Sequence, residues 1–312
     1  RHARLRHVNR TGTARIHATI LSRDPQAFQK RYPHLADEPC FHFMQGSVDD
    51  FAMPDTRFTH IIHAATEASN RYQANPAGLF DTVITGTRRV LELARACGHP
   101  RLLNLSSGAI YGNLSNVERV TEDWQGGPDC RDPRAAYAEA KRCAEMLCAV
   151  YGGHYQIPIV TARIFTLIGP YMPLDEQFAA GNFLRDALAG KPVIVQGDGT
   201  AQRSYLYAAD LIIWLITLLV RGESGQAYNV GSQTNVSIAE LAEQIAVMSG
   251  SAGFVIRGIP VPDAPVSRYL PDTRLIREAL GVEESVPLQE GIRRAAAWIR
   301  AEAMHALSPN KE

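Results

Sequence analysis

The sequence predicts an α/β protein whose parallel sheet carries helices on both faces. In the first half of the chain, short runs rich in β-branched and aromatic residues alternate with longer helical patterns. This alternation indicates a parallel sheet, because parallel strands are joined by crossover helices. The 312 residues, 46% of them apolar, are enough to build a large core. This excludes a small domain held together by disulfide bonds and a disordered chain.

The patterns of the first half predict five strands and two long helices. Five short segments are predicted as strands because each is apolar and rich in β-forming residues: 16–21, 41–45, 60–65, 101–105 and 159–165. A helix over 77–97 lies between the third and fourth strands, and Gly98 supplies its C-terminal stop. A second helix over 135–150 precedes the fifth strand, and Gly152 and Gly153 are predicted to end it.

After residue 167 the alternation gives way to short elements punctuated by glycine and proline. Residues 1–167, completed by about 204–232, are predicted to form the larger domain. Residues 168–203 and 233–312 are predicted to form a smaller region that covers the sheet. The apolar run 211–220 is predicted to be a core helix, since it is about half the length needed to span a bilayer.

Charge and cysteine content restrict the partners. The 32 basic and 32 acidic side chains balance, so no overall positive field favours nucleic acid or an anionic membrane surface. The five cysteines are scattered without a CxxC or Cys/His ligand spacing. We therefore expect no structural metal and a reducing, cytoplasmic environment.

A tyrosine and a lysine mark a candidate catalytic site. Tyr137 and Lys141 are predicted to lie one turn apart on the same helix face. An adjacent ammonium stabilises a phenolate, so such a pair can move protons. Alone, this spacing is common on solvated helices, and serines at a strand end are often only turn residues. Ser106 and Ser107 at the end of the predicted strand 101–105 favour catalysis, because open α/β sheets bind ligands there.

Several segments together resemble one known family. They are 46–49 (GSVD), 63–65 (HAA), 106–112 (SSGAIYG), 137–141 (YAEAK), 197–203 (GDGTAQR) and 268–272 (RYLPD). In this order they are similar to the extended short-chain dehydrogenase/reductases, and within them to the nucleotide-sugar epimerases and dehydratases. The resemblance covers almost the whole sequence. It implies a Rossmann-like doubly wound sheet, a C-terminal substrate-binding region, an NAD(P) cofactor and a nucleotide-diphosphate sugar as substrate.

The resemblance also implies roles for individual residues. Tyr137 would be the acid/base, Lys141 would hold the nicotinamide ribose and lower the pKa of that tyrosine, and Ser107 would bond the reacting sugar hydroxyl. Six further residues would lie along the cofactor: Ser22, Arg23, Val48, Asp49, Ala64 and Ala65. Four would contact the substrate together with Ser107: Thr166, Asn182, Arg203 and Arg268.

Two departures from the family concern the cofactor. No glycine-rich GxGxxG or GxxGxxG turn occurs in the sequence. We interpret this as loss of the first strand and its loop, about thirty residues upstream. We therefore expect either a gap in the sheet or another segment, from this chain or a partner chain, in the place of that strand. After the second strand of the family pattern, the residues are Ser22, Arg23 and Asp24. The arginine favours NADP, whereas Asp24 is the argument for NAD.

A third departure concerns the reaction. In the 4,6-dehydratases of the family an Asp-Glu pair follows the hydroxyl residue, and the related decarboxylases keep the Glu, whereas this chain has Gly108 and Ala109. The remaining chemistry is hydride transfer with Tyr137 as the proton shuttle. We therefore predict an epimerase. A 4-ketosugar reductase that consumes NADPH and a non-catalytic dinucleotide-sensing protein remain as alternatives.

A homodimer is predicted from the helices 77–97 and 135–150, which would pack on their symmetry mates as a four-helix bundle. The second helix keeps an apolar stripe of Cys143, Leu147 and Val150 after its sheet-facing and active-site sides are assigned. Joined to the neighbouring helix, this stripe would form an apolar patch larger than monomers usually expose, and a two-fold contact would bury it on both subunits. The alternative is that the segment after Gly281 folds back over it.

Overall fold

The computed structural model describes residues 16–66 and 74–307, and these divide into two compact units between Asp55 and Thr56. The first unit contains two parallel strands, β1 (Ala18–Ser22) and β2 (Phe41–Gln45), with the helices α1 (Pro25–Arg31) and α2 (Pro33–Ala36) between them. Asp24 caps α1, because its carboxylate accepts a hydrogen bond of 2.9 Å from the Ala27 amide.

The second unit is built on a four-stranded parallel sheet in the order β10–β5–β4–β3. Its strands are β3 (His60–His63), β4 (Arg101–Ser107), β5 (Ile159–Ile164) and β10 (Ala227–Val230). The helices α3 (Pro76–Ala96) and α4 (Ala136–Tyr155) pack against each other through a cluster that includes Leu79, Val83, Ala140 and Ala144. Another cluster, centred on the buried Trp214, packs against the sheet.

The C-terminal part forms small sheets and short helices. Its helices are α5 (Ala179–Leu188), α6 (Ala208–Arg221), α7 (Ile238–Ser249), α8 (Arg274–Leu280) and α9 (Leu288–Leu307). Its strands are β6 (Leu167–Ile168), β7 (Val193–Val195), β8 (Gln202–Ser204), β9 (Leu206–Tyr207), β11 (Asn235–Ser237), β12 (Phe254–Ile256) and β13 (Arg268–Tyr269). They pair as β11–β8–β13, β12–β7 and β6–β9. The division of this part into a substrate-binding region stays a prediction.

The predicted α/β class with a parallel sheet is confirmed, and the strand over 41–45 has the predicted bounds. The described strands of this class form two separate ladders, β1–β2 and β10–β5–β4–β3. The first ladder lies in the first unit and the second ladder in the second unit, and the expectation of an interrupted sheet stays a prediction.

Two predicted helices differ from the structure. The prediction that Gly152 and Gly153 end α4 was wrong: the helix continues to Tyr155, and Gln156 takes the left-handed conformation. A glycine within a helix costs only about 1 kcal/mol, and packing offsets it, because the Tyr151 hydroxyl donates to Glu92 of α3 at 2.6 Å.

The run 211–220 lies within α6. The prediction of a core helix holds for one face of α6, which is buried, while the opposite face is exposed. Trp214, Leu215 and Leu218 are buried, whereas Ile212 and Ile213 are 57% exposed. Among the described helices, none is long and apolar enough to cross a membrane.

Candidate active site

Ser107 is the last residue of β4 and lies at the carboxyl end of the sheet. Its side chain is buried, and its Oγ accepts a hydrogen bond of 3.2 Å from the Ala109 amide. Ser107 thereby caps the start of the short 3₁₀ turn Gly108–Tyr111. The neighbouring Ser106 donates to the Glu145 carboxylate of α4 at 2.5 Å. The strand end is therefore tied both to the turn that follows it and to α4.

Lys141 directs its ammonium group toward this strand end. Its Nζ donates to the Leu105 carbonyl at 2.8 Å and to the Thr66 hydroxyl at 2.7 Å. Tyr137 lies one turn earlier on α4 and packs, partly buried, beside the cluster of α3 and α4. The structure thus places the tyrosine and the lysine of the predicted site on the part of α4 that meets the end of β4.

Burial controls the charges near Lys141. Burial lowers the pKa of Lys141 to about 8, although the nearby Cys148 and Glu145 act in the opposite direction. Burial, followed by the Lys141 charge, lowers the pKa of His63 to about 3. His63 is therefore neutral near pH 7 and hydrogen-bonds Thr87 at 3.0 Å, while Lys141 keeps most of its charge and can stabilise a phenolate.

An ion pair behind the strand end holds it in place. The Arg163 guanidinium lies 2.8 Å from the Glu145 carboxylate, and both side chains are 15% exposed. Arg163 also donates to the Tyr111 hydroxyl at 2.9 Å. Burial alone would lower the pKa of Arg163, but the hydrogen bonds and charge of Glu145 outweigh it and raise that pKa. Glu145, which accepts from Ser106, is thus fixed from two sides.

Aromatic rings cover the turn that follows Ser107. The ring of Phe165 lies against Gly108, where a Cβ atom would come within 2.6 Å of the ring. The ring of Tyr269 packs on Phe165 with centroids 4.6 Å apart. Burial raises the pKa of Tyr269, the Ser107 hydroxyl partly opposes this, and the nearby Tyr137 acts in the same direction as burial. One residue, Tyr269, therefore neighbours two members of the predicted catalytic set.

The predicted substrate arginines lie on paired strands. Arg203 of β8 is opposite Tyr269 of β13 and donates to the Ser267 carbonyl at 3.1 Å. Arg268 donates to the Ser115 carbonyl at 2.8 Å and lines a polar cleft that also contains Asn116, Arg119 and Gln202. The described contacts thus connect Arg203, rather than Arg268, with the residues around Ser107.

The other two predicted substrate residues make local contacts. Asn182 of α5 donates to the Glu176 carbonyl at 2.8 Å. The carbonyl of Thr166, which follows β5, accepts from the Leu206 amide at 3.1 Å. No described contact links either side chain to Ser107, so their roles in substrate binding stay predictions.

The predicted cofactor residues occur in both units. In the first unit, Ser22 ends β1 and accepts from the Asp24 amide at 3.2 Å, while Arg23 is exposed. Val48 is buried, and Asp49 accepts a hydrogen bond from Ser47. In the second unit, Ala64 and Ala65 follow β3, and the Ala65 carbonyl accepts from Thr66 at 2.9 Å.

The donor set around β4 suits a nicotinamide riboside and a sugar. One ammonium group and the hydroxyls of Thr66, Ser107 and Tyr137 are the kinds of groups that bind ribose and sugar hydroxyls. Sequence reasoning missed Thr66, Glu145, Phe165 and Tyr269 as parts of this site. Thr66 directly follows a predicted strand, and Tyr269 lies in the RYLPD segment, so both had a sequence signal.

Comparison with known proteins shows which family the chain matches. The model of the "NAD dependent epimerase/dehydratase family" matches residues 5–231. UDP-glucuronic acid decarboxylase 1 of Xenopus tropicalis is 34% identical over 246 residues, which cover 78% of this chain and 58% of that protein. UDP-glucuronic acid decarboxylase 3 of Arabidopsis thaliana is 34% identical over 233 residues, which cover 74% of this chain and 67% of the relative. The chain thus spans less than two thirds of the frog relative.

Solved structures share the fold. UDP-glucose 4-epimerase of Thermus thermophilus, in complex with NAD, is 25% identical with a TM-score of 0.75, and the match covers 90% of each chain. The dTDP-glucose 4,6-dehydratase DesIV of Streptomyces venezuelae is 22% identical with a TM-score of 0.78, covering 92% of this chain and 88% of that one. The second similarity shows the fold alone.

Proposed function

The chain belongs to the NAD-dependent epimerase/dehydratase family, and we propose that it is a nucleotide-sugar epimerase that oxidises a ring carbon of its substrate transiently. The proposal depends mainly on the turn after Ser107. Gly108 and Ala109 carry no carboxylate, and the Phe165 ring fills the space where a side chain on Gly108 would lie. The curated relatives are decarboxylases by name, but the acid that the family resemblance associates with their chemistry is absent here.

In the proposed mechanism, Tyr137 exchanges one proton with the substrate. A nicotinamide cofactor, when bound, supplies the hydride acceptor and donor. Tyr137 takes the proton of the sugar hydroxyl as the carbon loses its hydride and becomes a ketone. The Lys141 ammonium favours the phenolate form that accepts this proton, and Ser107 hydrogen-bonds the same sugar oxygen. The ketosugar then rotates within the site and presents its opposite face. Tyr137 returns the proton to the sugar oxygen as the hydride is returned to that face of the carbon.

We propose NADP as the cofactor. The Asp24 carboxylate accepts from the Ala27 amide as the cap of α1, so one oxygen of the acceptor that would favour NAD is engaged within the helix. Arg23 is exposed directly after β1, where a 2′-phosphate would meet its guanidinium. We expect NADPH to bind at least tenfold more tightly than NADH, and Arg23→Ala to remove that preference in a fluorescence titration.

A 4-ketosugar reductase is the second candidate. The exposed Arg23 supports it as well, because reductases of this kind consume NADPH. Product analysis separates the candidates. Full-length protein is incubated with UDP-glucose, UDP-glucuronate and dTDP-4-keto-6-deoxyglucose, and products are followed by proton NMR and NADPH absorbance. An epimer formed with cofactor below stoichiometry supports the epimerase, and one NADPH consumed per product supports the reductase. Loss of carbon dioxide from UDP-glucuronate would refute both.

The catalytic assignment is tested by Tyr137→Phe, which removes one hydroxyl. We expect turnover to fall at least a thousandfold while the unfolding midpoint changes little. Tyr228→Phe is the matched control, because the Tyr228 hydroxyl accepts from the Glu223 amide at the edge of the sheet and makes no described contact with the site. Equal activity of Tyr137→Phe and the wild type would contradict the assignment.

We further propose a cytoplasmic homodimer. On α4, Met146 is 65% exposed and Val150 is 52% exposed, next to the exposed thiol of Cys143. A two-fold contact through α3 and α4 would bury this apolar surface on both subunits at once. All five cysteines are free thiols, which is typical of proteins in reducing compartments.

A further inference from the structure

The ammonium group of Lys141 lies where the pairing of two neighbouring strands stops. β3 ends at His63, which is opposite Asn104 in the register of β3 and β4, whereas β4 continues beyond that pair. Lys141 Nζ donates to the Leu105 carbonyl of β4 at 2.8 Å and to the hydroxyl of Thr66, in the segment that follows β3, at 2.7 Å. Lys141 therefore bridges two segments just beyond their paired part, at the edge of the sheet where open α/β folds bind ligands.

The Thr66 hydroxyl is fixed as an acceptor toward this ammonium group. A threonine hydroxyl has one donor proton and two acceptor sites. Thr66 Oγ1 donates its proton to the Ala65 carbonyl at 2.9 Å, so only its acceptor sites remain for Lys141. An ammonium group can only donate. The hydroxyl and the ammonium group therefore meet in one arrangement of donor and acceptor.

The hydrogen-bond capacity of Lys141 is almost used up. An ammonium group has three N–H donors, and two of them are engaged with Leu105 and Thr66. Within the described part of the chain, no acceptor takes the third. The Lys141 side chain is 5% exposed, and a buried charged group with an unpaired donor is costly. The third N–H group is therefore the one that Lys141 can offer to a bound ligand or to the Tyr137 oxygen.

The charges around Lys141 make its hydrogen bonds important. Burial lowers the pKa of Lys141 to about 8, and Cys148 and Glu145 of α4 only partly oppose this. His63 of β3 is neutral near pH 7 and adds no charge. Among the described ion pairs, none includes the Lys141 ammonium group. The charged form of Lys141 therefore depends on the two oxygens that accept its hydrogen bonds.

We propose that Thr66 is a positioning residue, which holds the Lys141 ammonium group so that one N–H donor is left for the reacting groups. The proposal rests on the proposed function for the identity of those groups. A lysine carries its charge on a flexible stem, so two acceptors fix the position of the charge better than one. Without the Thr66 hydroxyl, the ammonium group would keep the Leu105 carbonyl alone and could turn about that single contact.

The direct test follows the titration of Lys141 and needs neither substrate nor cofactor. The chain has four lysines: Lys30, Lys141, Lys191 and Lys311. They are labelled with ¹³C at Cε, and the Lys141 resonance is assigned by its loss in Lys141→Met. We expect Thr66→Val to lower the titration midpoint of Lys141 by about one pH unit, as for loss of one hydrogen bond to a charged group. Thr66→Ser, which keeps a hydroxyl, should retain the wild-type midpoint.

A matched control separates this effect from a general loss of a threonine hydroxyl. The Thr217 hydroxyl donates to the Ile213 carbonyl within α6 at 2.8 Å. Thr217→Val should therefore leave the Lys141 midpoint in place. An unmoved Lys141 midpoint in folded Thr66→Val would overturn the proposal, because the hydroxyl would then contribute nothing to the charged ammonium group.

The kinetic test uses the same variants. In the proposed mechanism the enzyme loses activity at high pH as the Lys141 ammonium group releases its proton. We expect Thr66→Val to move this alkaline limb of the kcat profile down by about one pH unit. At the pH optimum, kcat should fall about fivefold with KM for the nucleotide sugar within about twofold, and Thr66→Ser should restore both the profile and kcat.

The two measurements distinguish the proposal from the proposed function. A lowered midpoint with an unchanged kcat profile would overturn the proposal, because the ammonium group would then not need Thr66 for the reaction. A lowered midpoint in a protein that turns over no nucleotide sugar would support the role of Thr66 in holding the ammonium group and would count against the proposed function.

Discussion

The buried ammonium of Lys141 leads to a prediction that separates stability from activity. Its pKa is lowered from 10.5 to about 8, mainly by burial. At about 1.36 kcal/mol per pKa unit, holding the charged form in the fold costs about 3 kcal/mol. Lys141→Met removes the charge but leaves the Thr66 hydroxyl and the Leu105 carbonyl without this donor, which costs about 1–2 kcal/mol. We expect Lys141→Met to be inactive and about 1–2 kcal/mol more stable than the wild type at pH 7.

The pH dependence of this difference is set by the direction of the shift. Below pH 8 the lysine is charged in both the folded and the unfolded chain, so the wild type carries the full cost. Between about pH 8 and 10.5 the folded chain releases the proton while the unfolded chain keeps it, so the wild type gains stability relative to Lys141→Met. The stability advantage of Lys141→Met should therefore shrink and then change sign as the pH rises through this interval. The total change in the stability difference should be about 3 kcal/mol.

Urea unfolding at several pH values measures this. The three tryptophans, Trp124, Trp214 and Trp298, all lie after residue 56, so their fluorescence reports on the second unit. Lys191→Met is the control, because Lys191 is exposed and its replacement should change the free energy of unfolding by less than about 0.5 kcal/mol at every pH. A stability difference between Lys141→Met and the wild type that stays constant from pH 7 to 10.5 would refute the reasoning.

Three further predictions concern the turn, the ion pair and the dimer. Gly108→Ala forces a Cβ to within 2.6 Å of an aromatic ring and should lower the free energy of unfolding by about 1–3 kcal/mol, whereas Gly153→Ala, with open space around it, should not lower it in urea unfolding. Glu145→Gln leaves Arg163 without its ion-pair partner and should destabilise by about 2–3 kcal/mol; an unchanged urea midpoint would show that the pair is not structural. Val150→Glu places a charge on the exposed face of α4 and should give a monomer mass in light scattering, and a monomeric wild type would contradict the dimer.

Features that depend on neighbouring residues could be predicted from the sequence. The strand over 41–45 and the helix around 77–97 are indicated by apolar spacing and end signals that act within a few residues. The spacing of Tyr137 and Lys141 placed them on one helix face, and the RYLPD segment already contained Tyr269. The absence of an acid after Ser107 is also a property of the sequence alone.

Features that depend on contacts between distant segments became visible only in the folded chain. The end of α4 is set by Tyr151 against Glu92 of another helix, which overrides the local preference of two glycines. The packing of the Tyr269 ring on Phe165, with centroids 4.6 Å apart, joins two segments that are distant in the sequence. Burial supplies the lowered pKa of Lys141 in the same way. Local patterns carry no information on which distant side chain excludes water from a given group, because that depends on how the whole chain packs.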